Sequence, residues 1–291
     1  MYGIELLAGR LNSAEDDVSE IIILIDSRRY NEAQDLSTQV QEKILKIKSN
    51  ASDGQIKNEA YIYDCFFNML SNVARFWKCI EGQTYYDSWW RLHDIFDDLR
   101  CLKKFYKLNN RTIDFLVKQM KSIEGIYPYK FFSSPGFIVE RYDCSICNKD
   151  MDGDECEHFK GELYDGEMAI AIAKTIKDID HFAIVENPKN KRLAISGGDD
   201  LEQFNIFKEL VEHFNQNRNS PLGFTHAKIF EFMRDKDTLR KTARNEACHC
   251  GSGKKFKKCC INTPQAKQVH VDFYPGHLLR RIDIDRKSLL I

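Results

Sequence analysis

Seven of the ten cysteines in this 291-residue chain stand in two short clusters, and these clusters constrain the fold more than any other feature. The clustered residues are Cys144, Cys147 and Cys156 in the first group, and Cys248, Cys250, Cys259 and Cys260 in the second. The chain begins without the basic segment and apolar run of a secretory signal, so we expect a cytoplasmic protein. In a reducing compartment, clustered cysteines bind metal or do redox chemistry more often than they form disulfides.

The first cluster has the residue types and spacing of a zinc site. A C-x2-C turn brings the thiolates of Cys144 and Cys147 to one metal, and the C-x-H pair formed by Cys156 and His158 supplies two further ligands. Three thiolates and one imidazole are a common tetrahedral shell for Zn²⁺. Four protein ligands leave no open position for water, so we expect a structural site rather than a catalytic one.

Other interpretations of the first cluster are weaker. The acidic run Asp150, Asp152 and Asp154 lacks the glycine and the glutamate that a calcium-binding loop needs at its sixth and twelfth positions. A catalytic Cys156–His158 pair has suitable residue types, but the two other cysteines nearby favour shared ligation of a metal. A thioredoxin-like pair requires a strand-to-helix setting that this region does not show. The block C-x-H-x2-G-x2-Y-x-G at 156–166 resembles one found in bacterial proteins of unassigned function.

The second cluster reads CHCGSGKKFKKCC over residues 248–260. It closely resembles the SEC-C motif, a small zinc module at the C-terminus of the preprotein-translocation ATPase SecA and of many other bacterial proteins. The chain departs from that pattern at Cys260, where histidine is commoner, and at His249, where proline is frequent. The resemblance implies a second zinc site with ligands Cys248, Cys250, Cys259 and Cys260, and therefore two zinc ions per chain. A module this short buries too little apolar surface to fold alone, so metal binding would supply ~10 kcal/mol of folding free energy.

The second cluster also lies in a strongly basic segment, although the whole chain has a net charge of −1. Residues 240–258 contain seven Lys or Arg and one Glu, a formal charge of +6. We call the basic residues the basic patch: Arg240, Lys241, Arg244, Lys254, Lys255, Lys257 and Lys258. Part of this charge balances zinc-bound thiolates, and the remainder can attract acidic protein surfaces, nucleic acid or anionic lipid headgroups. In SecA the module is associated with docking, so the resemblance implies a docking role here as well.

Hydrophobic periodicity predicts an α+β protein that is mainly α. Five amphipathic helices are expected between residues 13 and 124, as a bundle or a repeat-like array. Beyond Gly125 we expect strands at 137–142, 181–185, 191–196 and 269–274, the middle two as a hairpin, and helices at 166–176, 199–215 and 225–244. The predicted domains are a helical scaffold at 1–125, an α+β zinc-knuckle domain at 126–222, and a helix with the SEC-C module and a tail at 223–291.

Two features of the predicted helices have alternative interpretations. The aromatic group Tyr85, Tyr86, Trp89 and Trp90 fits either a peptide-binding surface or, as we favour, a packed core. Cys65 and Cys79 are most simply small buried apolar groups. No window reaches the ~18 apolar residues needed to cross a bilayer.

The sequence contains none of the catalytic signatures for which we searched, namely H-E-x2-H, G-x-S-x-G, a phosphate-binding loop and a dinucleotide fingerprint. We therefore favour a non-enzymatic zinc-binding protein in which the helical scaffold holds one protein partner and the basic patch docks to another. Two alternatives stay open. The basic patch can serve a nucleic-acid-associated protein, or the middle domain can be an enzyme of an unrecognised type.

Overall fold

The first half of the protein is built from helices that follow one another along the chain through short connections. The computed structural model describes residues 14–106, 110–195, 198–199, 202–235, 242–248, 252–278 and 287–290. The helices of this half are α1 (Ala14–Asp26), α2 (Tyr30–Asn50), α3 (Gly54–Glu81), α4 (Tyr85–Phe105) and α5 (Arg111–Glu124). All five predicted helices are therefore present. None of the described helices is long and apolar enough to cross a lipid bilayer.

Side-chain caps explain where two of these helices begin. Asp53 accepts a hydrogen bond from the backbone N–H of Gln55 at the start of α3. The side-chain oxygen of Asn110 accepts two, from Thr112 and Ile113, at the start of α5. These bonds satisfy amides that have no partner within the first helical turn. The predicted cap of α1, Ser13, lies outside the described residues.

The second half combines antiparallel strands with one further helix. Its elements are β1 (Phe132–Cys144), β2 (Leu163–Tyr164), β3 (Glu167–Met168), β4 (Ala171–Val185), α6 (Asn205–Asn215), β5 (Phe224–Asp235), β6 (Gln265–Pro275) and β7 (Lys287–Leu290). Strand β1 pairs with β4, β2 pairs with β3, and the third sheet has the order β5-β6-β7. The small sheets beside a larger helical part confirm the α+β, mainly α fold class.

The pairing of β1 with β4 corrects two predictions. The helix expected at 166–176 is wrong, because Ala171–Ile176 belongs to the 15-residue strand β4. The hairpin between 181–185 and 191–196 is also wrong: Phe132 and Val185 are paired at the start of β1, and Ala194 forms its own bridge to Phe132. The β-branched residues of this stretch fit a strand, and the long-range partner strand supplies the hydrogen bonds that local periodicity could not reveal.

The β1–β4 ribbon carries exposed apolar side chains along much of its length. Opposed pairs in the ribbon include Phe137 with Ile179 and Pro135 with Phe182. Ile179 is 64% exposed and Phe182 is 68% exposed, and Ile176 is also exposed. Burial of these side chains therefore does not hold the ribbon in its extended form.

The helix predicted at 225–244 is wrong as well. Residues 224–235 form β5, which pairs with β6 from Phe224↔Pro275 to Asp235↔Gln265. Ala227 and Ile229 pack against the core from the same face of β5, with the period of two that a strand requires. The strand expected at 269–274 is confirmed within β6.

The helix predicted from Asp199 and Asp200 is present, but it begins later. A 3₁₀ turn at Glu202–Phe204 leads into α6, whose N-cap residue Phe204 makes no side-chain capping bond. Asp199 instead accepts a hydrogen bond of 2.8 Å from the backbone N–H of Tyr86, in the first turn of α4. Asp200 lies outside the described residues.

One hydrophobic core joins the two halves. Trp77 of α3 contacts Phe214 of α6 and Phe224 of β5, with ring centroids 5.7 and 6.1 Å apart. Tyr85 stacks on Phe204 at 4.4 Å. Trp89 is buried and packs beside further aromatic rings: Tyr127, Tyr129 and Phe132. Tyr85 and Trp89 therefore belong to the core, whereas Tyr86 and Trp90 are half-buried.

Candidate metal centres

The structure brings together the four predicted ligands of the first cluster. Cys144 is the last residue of β1, Cys147 lies in the turn that follows, and Cys156 and His158 lie in the next loop. One ligand atom from each residue lies within 4.8 Å of all the others. Cys144 is buried, and the other three are half-buried. The arrangement can hold one metal ion.

The local backbone explains why these thiols converge. Cys144 donates its N–H to the carbonyl of Lys149 and accepts at its own carbonyl from the N–H of Asn148, so the chain folds back directly after β1. Asn148 has φ +56°, in the left-handed region that asparagine tolerates better than most residues. The N–H of Ile146 points at the Cys144 sulfur at 3.5 Å, which is the amide-to-sulfur contact expected of a C-x2-C turn.

These amides also set the acidity of Cys144. Burial raises the pKa of its thiol, but hydrogen bonds from the backbone N–H groups of Cys147 and Ile146, and from the side chains of Cys147 and Cys156, outweigh that effect. The pKa of Cys144 is therefore below its ordinary value of 9.0. A metal ligand must be a thiolate, so this direction favours metal binding.

His158 provides a separate test of whether a metal fits. Its Nδ1 atom is buried and has no hydrogen-bond partner among the described residues. A buried, unpaired ring nitrogen costs free energy, and a coordinated cation removes that cost. The His158 ring packs at a right angle to the Tyr164 ring, with the ring centroids 4.7 Å apart. The Tyr164 hydroxyl accepts a hydrogen bond from the N–H of Phe159. The donor set and the orphaned nitrogen both fit Zn²⁺.

The loop around the first cluster is fixed to the helical half by contacts with Lys104 and Asn58. Lys104 of α4 donates to the carbonyl of Gly161 and forms an ion pair of 2.8 Å with Glu162. The N–H of Gly166 donates to the side chain of Asn58 on α3 at 2.6 Å. Gly166 has φ +82°, and a Cβ there would lie 2.8 Å from the carbonyl oxygen of Lys57, so glycine is required at this position.

In the second cluster the structure describes three of the four predicted ligands. Cys248, Cys259 and Cys260 have sulfurs within 4.8 Å of one another, and Cys248 is buried. Cys250 and His249 lie outside the described residues. None of the described cysteines is joined to another described cysteine by a disulfide.

The turn that holds the second cluster is short and hydrogen-bonded. Ala247 pairs with Lys255, and the N–H of Cys248 donates to the carbonyl of Lys254 at 2.8 Å. A 3₁₀ turn at Phe256–Lys258 then returns the chain to Cys259. The Ser252 hydroxyl lies 3.1 Å from the sulfur of Cys259, one of the predicted ligands.

Comparison with known proteins assigns a family to this second cluster. Residues 244–262 match the family model of the SEC-C motif. The chain contains a SEC-C motif. It is also 37% identical over 82 residues to the protein translocase subunit SecA of Campylobacter fetus subsp. fetus, an alignment that covers 23% of this chain and 10% of that protein. The chain thus matches about a tenth of the length of that relative. No solved structure matches the chain.

The SEC-C motif presents much of the basic patch to solvent. The five members that the structure describes are all exposed and form no ion pair with another described residue: Arg244, Lys254, Lys255, Lys257 and Lys258. The other two members, Arg240 and Lys241, lie outside the described residues. Arg244 lies in a turn, so the prediction that a helix carries it into the SEC-C motif is wrong. Exposed and unpaired cations remain available to an anionic partner.

The structure also shows a thiol contact that the sequence analysis missed. Cys65 and Cys101 were not predicted to meet, yet their sulfurs lie 3.2 Å apart. The sequence contained a signal for this contact, because both residues are equally distant along the chain from Gln83, in the turn that joins α3 to α4. Residues at equal distances from the turn of a helical hairpin lie opposite each other when the helices pack lengthwise.

Proposed function

We propose that this protein is a non-enzymatic, zinc-binding docking protein. One Zn²⁺ would be held by Cys144, Cys147, Cys156 and His158, and a second by Cys248, Cys250, Cys259 and Cys260. Four protein ligands leave neither ion an open position for substrate, which supports structural roles. Cysteines clustered at metal-ligand spacing are typical of proteins in reducing compartments, which supports a cytoplasmic location.

The observation that carries the docking role is the exposed, unpaired charge on the SEC-C motif. Two thiolates would neutralise Zn²⁺, so four thiolates leave a formal charge of −2, and Lys254, Lys255, Lys257 and Lys258 exceed what is needed to balance it. Exposed cations of this kind accelerate and orient association with an acidic surface. The partner we propose is a protein with an acidic face, and the helical half would present a second interaction surface.

The test compares two variants of the full-length protein that each lose four exposed lysines. The test variant carries Lys→Gln at 254, 255, 257 and 258, and the matched control carries Lys→Gln at 43, 46, 174 and 177, which are exposed positions on α2 and β4. Each serves as bait in nuclease-treated lysate, with zinc content measured in parallel. We expect proteins retained by the wild type and the control to be depleted ~10-fold on the test variant, while zinc stays bound.

Equal capture by the test variant and the control would contradict docking through the basic patch. The same cations also support the alternative of nucleic-acid binding, which the experiment separates. In that case capture is seen from untreated lysate and is lost from nuclease-treated lysate, and affinity for a DNA duplex falls with a slope of about −0.9 in log–log salt plots for each phosphate contacted.

A further inference from the structure

Outside the two metal clusters, the closest thiols in the described structure belong to the helical half. Cys65 of α3 and Cys101 of α4 have sulfurs 3.2 Å apart, and both residues are half-buried. A disulfide bond is about 2.05 Å long, so the sulfurs must approach by about 1 Å to form one. Neither residue takes part in a candidate metal site.

The two thiols differ in acidity. A hydrogen bond from the Cys65 thiol lowers the pKa of Cys101, burial opposes this, and the Tyr61 hydroxyl and the Lys104 charge add to the lowering. The same hydrogen bond, which the Cys65 thiol donates, raises the pKa of Cys65, and burial raises it as well. These directions favour Cys101 as the attacking thiol and Cys65 as the thiol that keeps its proton, while the 3.2 Å separation of the sulfurs allows either order.

We propose that Cys65 and Cys101 are an oxidation site that hydrogen peroxide converts to a disulfide between α3 and α4. In the first step the Cys101 thiolate attacks a peroxide oxygen. An S–O bond forms, the O–O bond breaks, and the departing hydroxide takes a proton to become water. Cys101 is then a sulfenic acid.

In the second step the sulfur of Cys65 attacks the sulfur of Cys101. The S–S bond forms, the S–O bond breaks, and the hydroxide that leaves takes the Cys65 proton to become a second water. Together the two thiols lose two electrons and two protons, and one hydrogen peroxide is reduced to two waters. The adjacent Cys65 traps the sulfenic acid before further oxidation, which is the arrangement of a reactive thiol beside a resolving thiol.

The position of the pair gives the disulfide a structural consequence. Lys104 stands one helical turn beyond Cys101 and holds Gly161 and Glu162 in the loop of the first metal cluster. A bond between α3 and α4 fixes the helix that carries this lysine. It also closes a covalent loop between residues 36 positions apart, which restricts the unfolded chain and raises thermal stability.

The experiment treats purified full-length protein with hydrogen peroxide at a few equivalents and then alkylates it in denaturant without reductant. Peptide mass spectrometry is expected to find a Cys65–Cys101 cross-link that dithiothreitol reverses, and the melting temperature of the helical signal is expected to rise by several degrees. Cys79→Ser is the matched control, because Cys79 lies on the same helix and makes no thiol contact with another described residue; the cross-link should persist in it. In Cys65→Ser, a sulfenic-acid probe should label Cys101.

Two results would overturn the proposal, and both come from the wild-type protein, so they do not depend on a variant that folds. One is that Cys65 and Cys101 both stay reduced, and so are both alkylated, at peroxide concentrations that already release metal from the clusters. The other is sulfinic or sulfonic acid at Cys101 with no cross-linked peptide.

Discussion

The Nδ1 atom of His158 is the group in the first cluster that would gain a partner from a bound cation. It is buried without a partner among the described residues, while the same ring contacts Tyr164. Removing the imidazole would therefore take away one proposed ligand and leave the thiols of Cys144 and Cys147 in place. This separates ligation from the general stability of the loop.

We expect the wild-type protein to contain about two zinc ions per chain and His158→Ala to contain about one, because three ligands bind structural zinc much more weakly than four. Changing Cys259 and Cys260 together to Ser should also remove one ion, from the other cluster. Metal analysis by mass spectrometry measures both. His181→Ala is the control, since His181 is exposed and pairs with Asp180; loss of zinc in this variant, or none in His158→Ala, would contradict the assignment.

At the scale of single residues, the sequence was most informative where the chemistry of metal ligands restricts the spacing of cysteines along the chain. Eight residues separate Cys147 from Cys156, and the structure brings these two sulfurs to 3.7 Å. The contacts of Tyr164 and Ser252 with predicted ligands were not predicted, because neither residue type is specific to a metal site. The pairing of Cys65 with Cys101 was missed because it depends on the register of two packed helices.

Among the elements, two antiparallel ribbons share one arrangement: each candidate metal cluster lies at the end where the chain turns from one strand to its partner. The first cluster begins at Cys144, where β1 ends, and β4 begins at Ala171. The SEC-C motif lies between Asp235, at the end of β5, and Gln265, at the start of β6. The opposite end of each ribbon meets the core, at Phe132 and at Phe224. Each metal would therefore close the outer end of its ribbon.

Chelation of the metal is expected to loosen the β1–β4 ribbon from its outer end. Amide hydrogen exchange near Cys144 and Ala171 should accelerate ~10-fold or more, while amides near Phe132 and Val185 keep most of their protection because the core holds them. Amides in the middle of α3 serve as the internal control. Uniform acceleration along the ribbon, or none, would show that the metal does not hold its end.

The ribbons are also where the sequence analysis failed. Residues 225–235 contain apolar side chains that fit either a helical or a strand period over so short a stretch, and Pro275, which pairs with Phe224, lies far along the chain. The five helices of the first half were predicted because their periodicity extends over many turns and their caps are local. Strands whose partners are distant leave no equivalent local signal.

At the scale of the whole molecule, hydrogen bonds and an ion pair join α1 to segments that are distant along the chain. Nε2 of His277 lies 2.6 Å from Asp26 of α1, and the N–H of Leu222 donates to the same carboxylate. Burial raises the pKa of Asp26, but the hydrogen bonds from His277, Ser220 and Leu222 and the charge of His277 outweigh it, so the pKa lies below 3.8. The proposed division at residues 125 and 222 stays a prediction; the three segments share one hydrophobic core.

Asp26→Asn is expected to lower the free energy of unfolding by ~1–2 kcal/mol at pH 7, because a charged hydrogen-bond acceptor that is largely shielded from water is lost. A carboxylate with a lowered pKa stabilises the folded state above its unfolded pKa, and this contribution disappears as the pH falls through the folded pKa. The difference between variant and wild type should therefore shrink below about pH 3.8. Urea unfolding at several pH values measures it.

Asp16→Asn is the matched control, since Asp16 lies on the same helix and is exposed. This variant should change the unfolding free energy by less than about 0.5 kcal/mol, both at pH 7 and below about pH 3.8. A pH-independent loss in Asp26→Asn would mean that packing, rather than the ionised carboxylate, joins α1 to the segment at His277.

The exposed apolar side chains of the β1–β4 ribbon have a consequence for how the sequence can change. Because Ile176, Ile179 and Phe182 gain little from burial, the two fixed ends rather than the middle residues determine that the strands stay extended. Central positions should accept threonine or valine freely, and homologues are expected to vary there most. Variation should fall sharply towards the two ends of β1. These ends are Phe132, which lies in the hydrophobic core, and Cys144, which lies in the first candidate metal cluster.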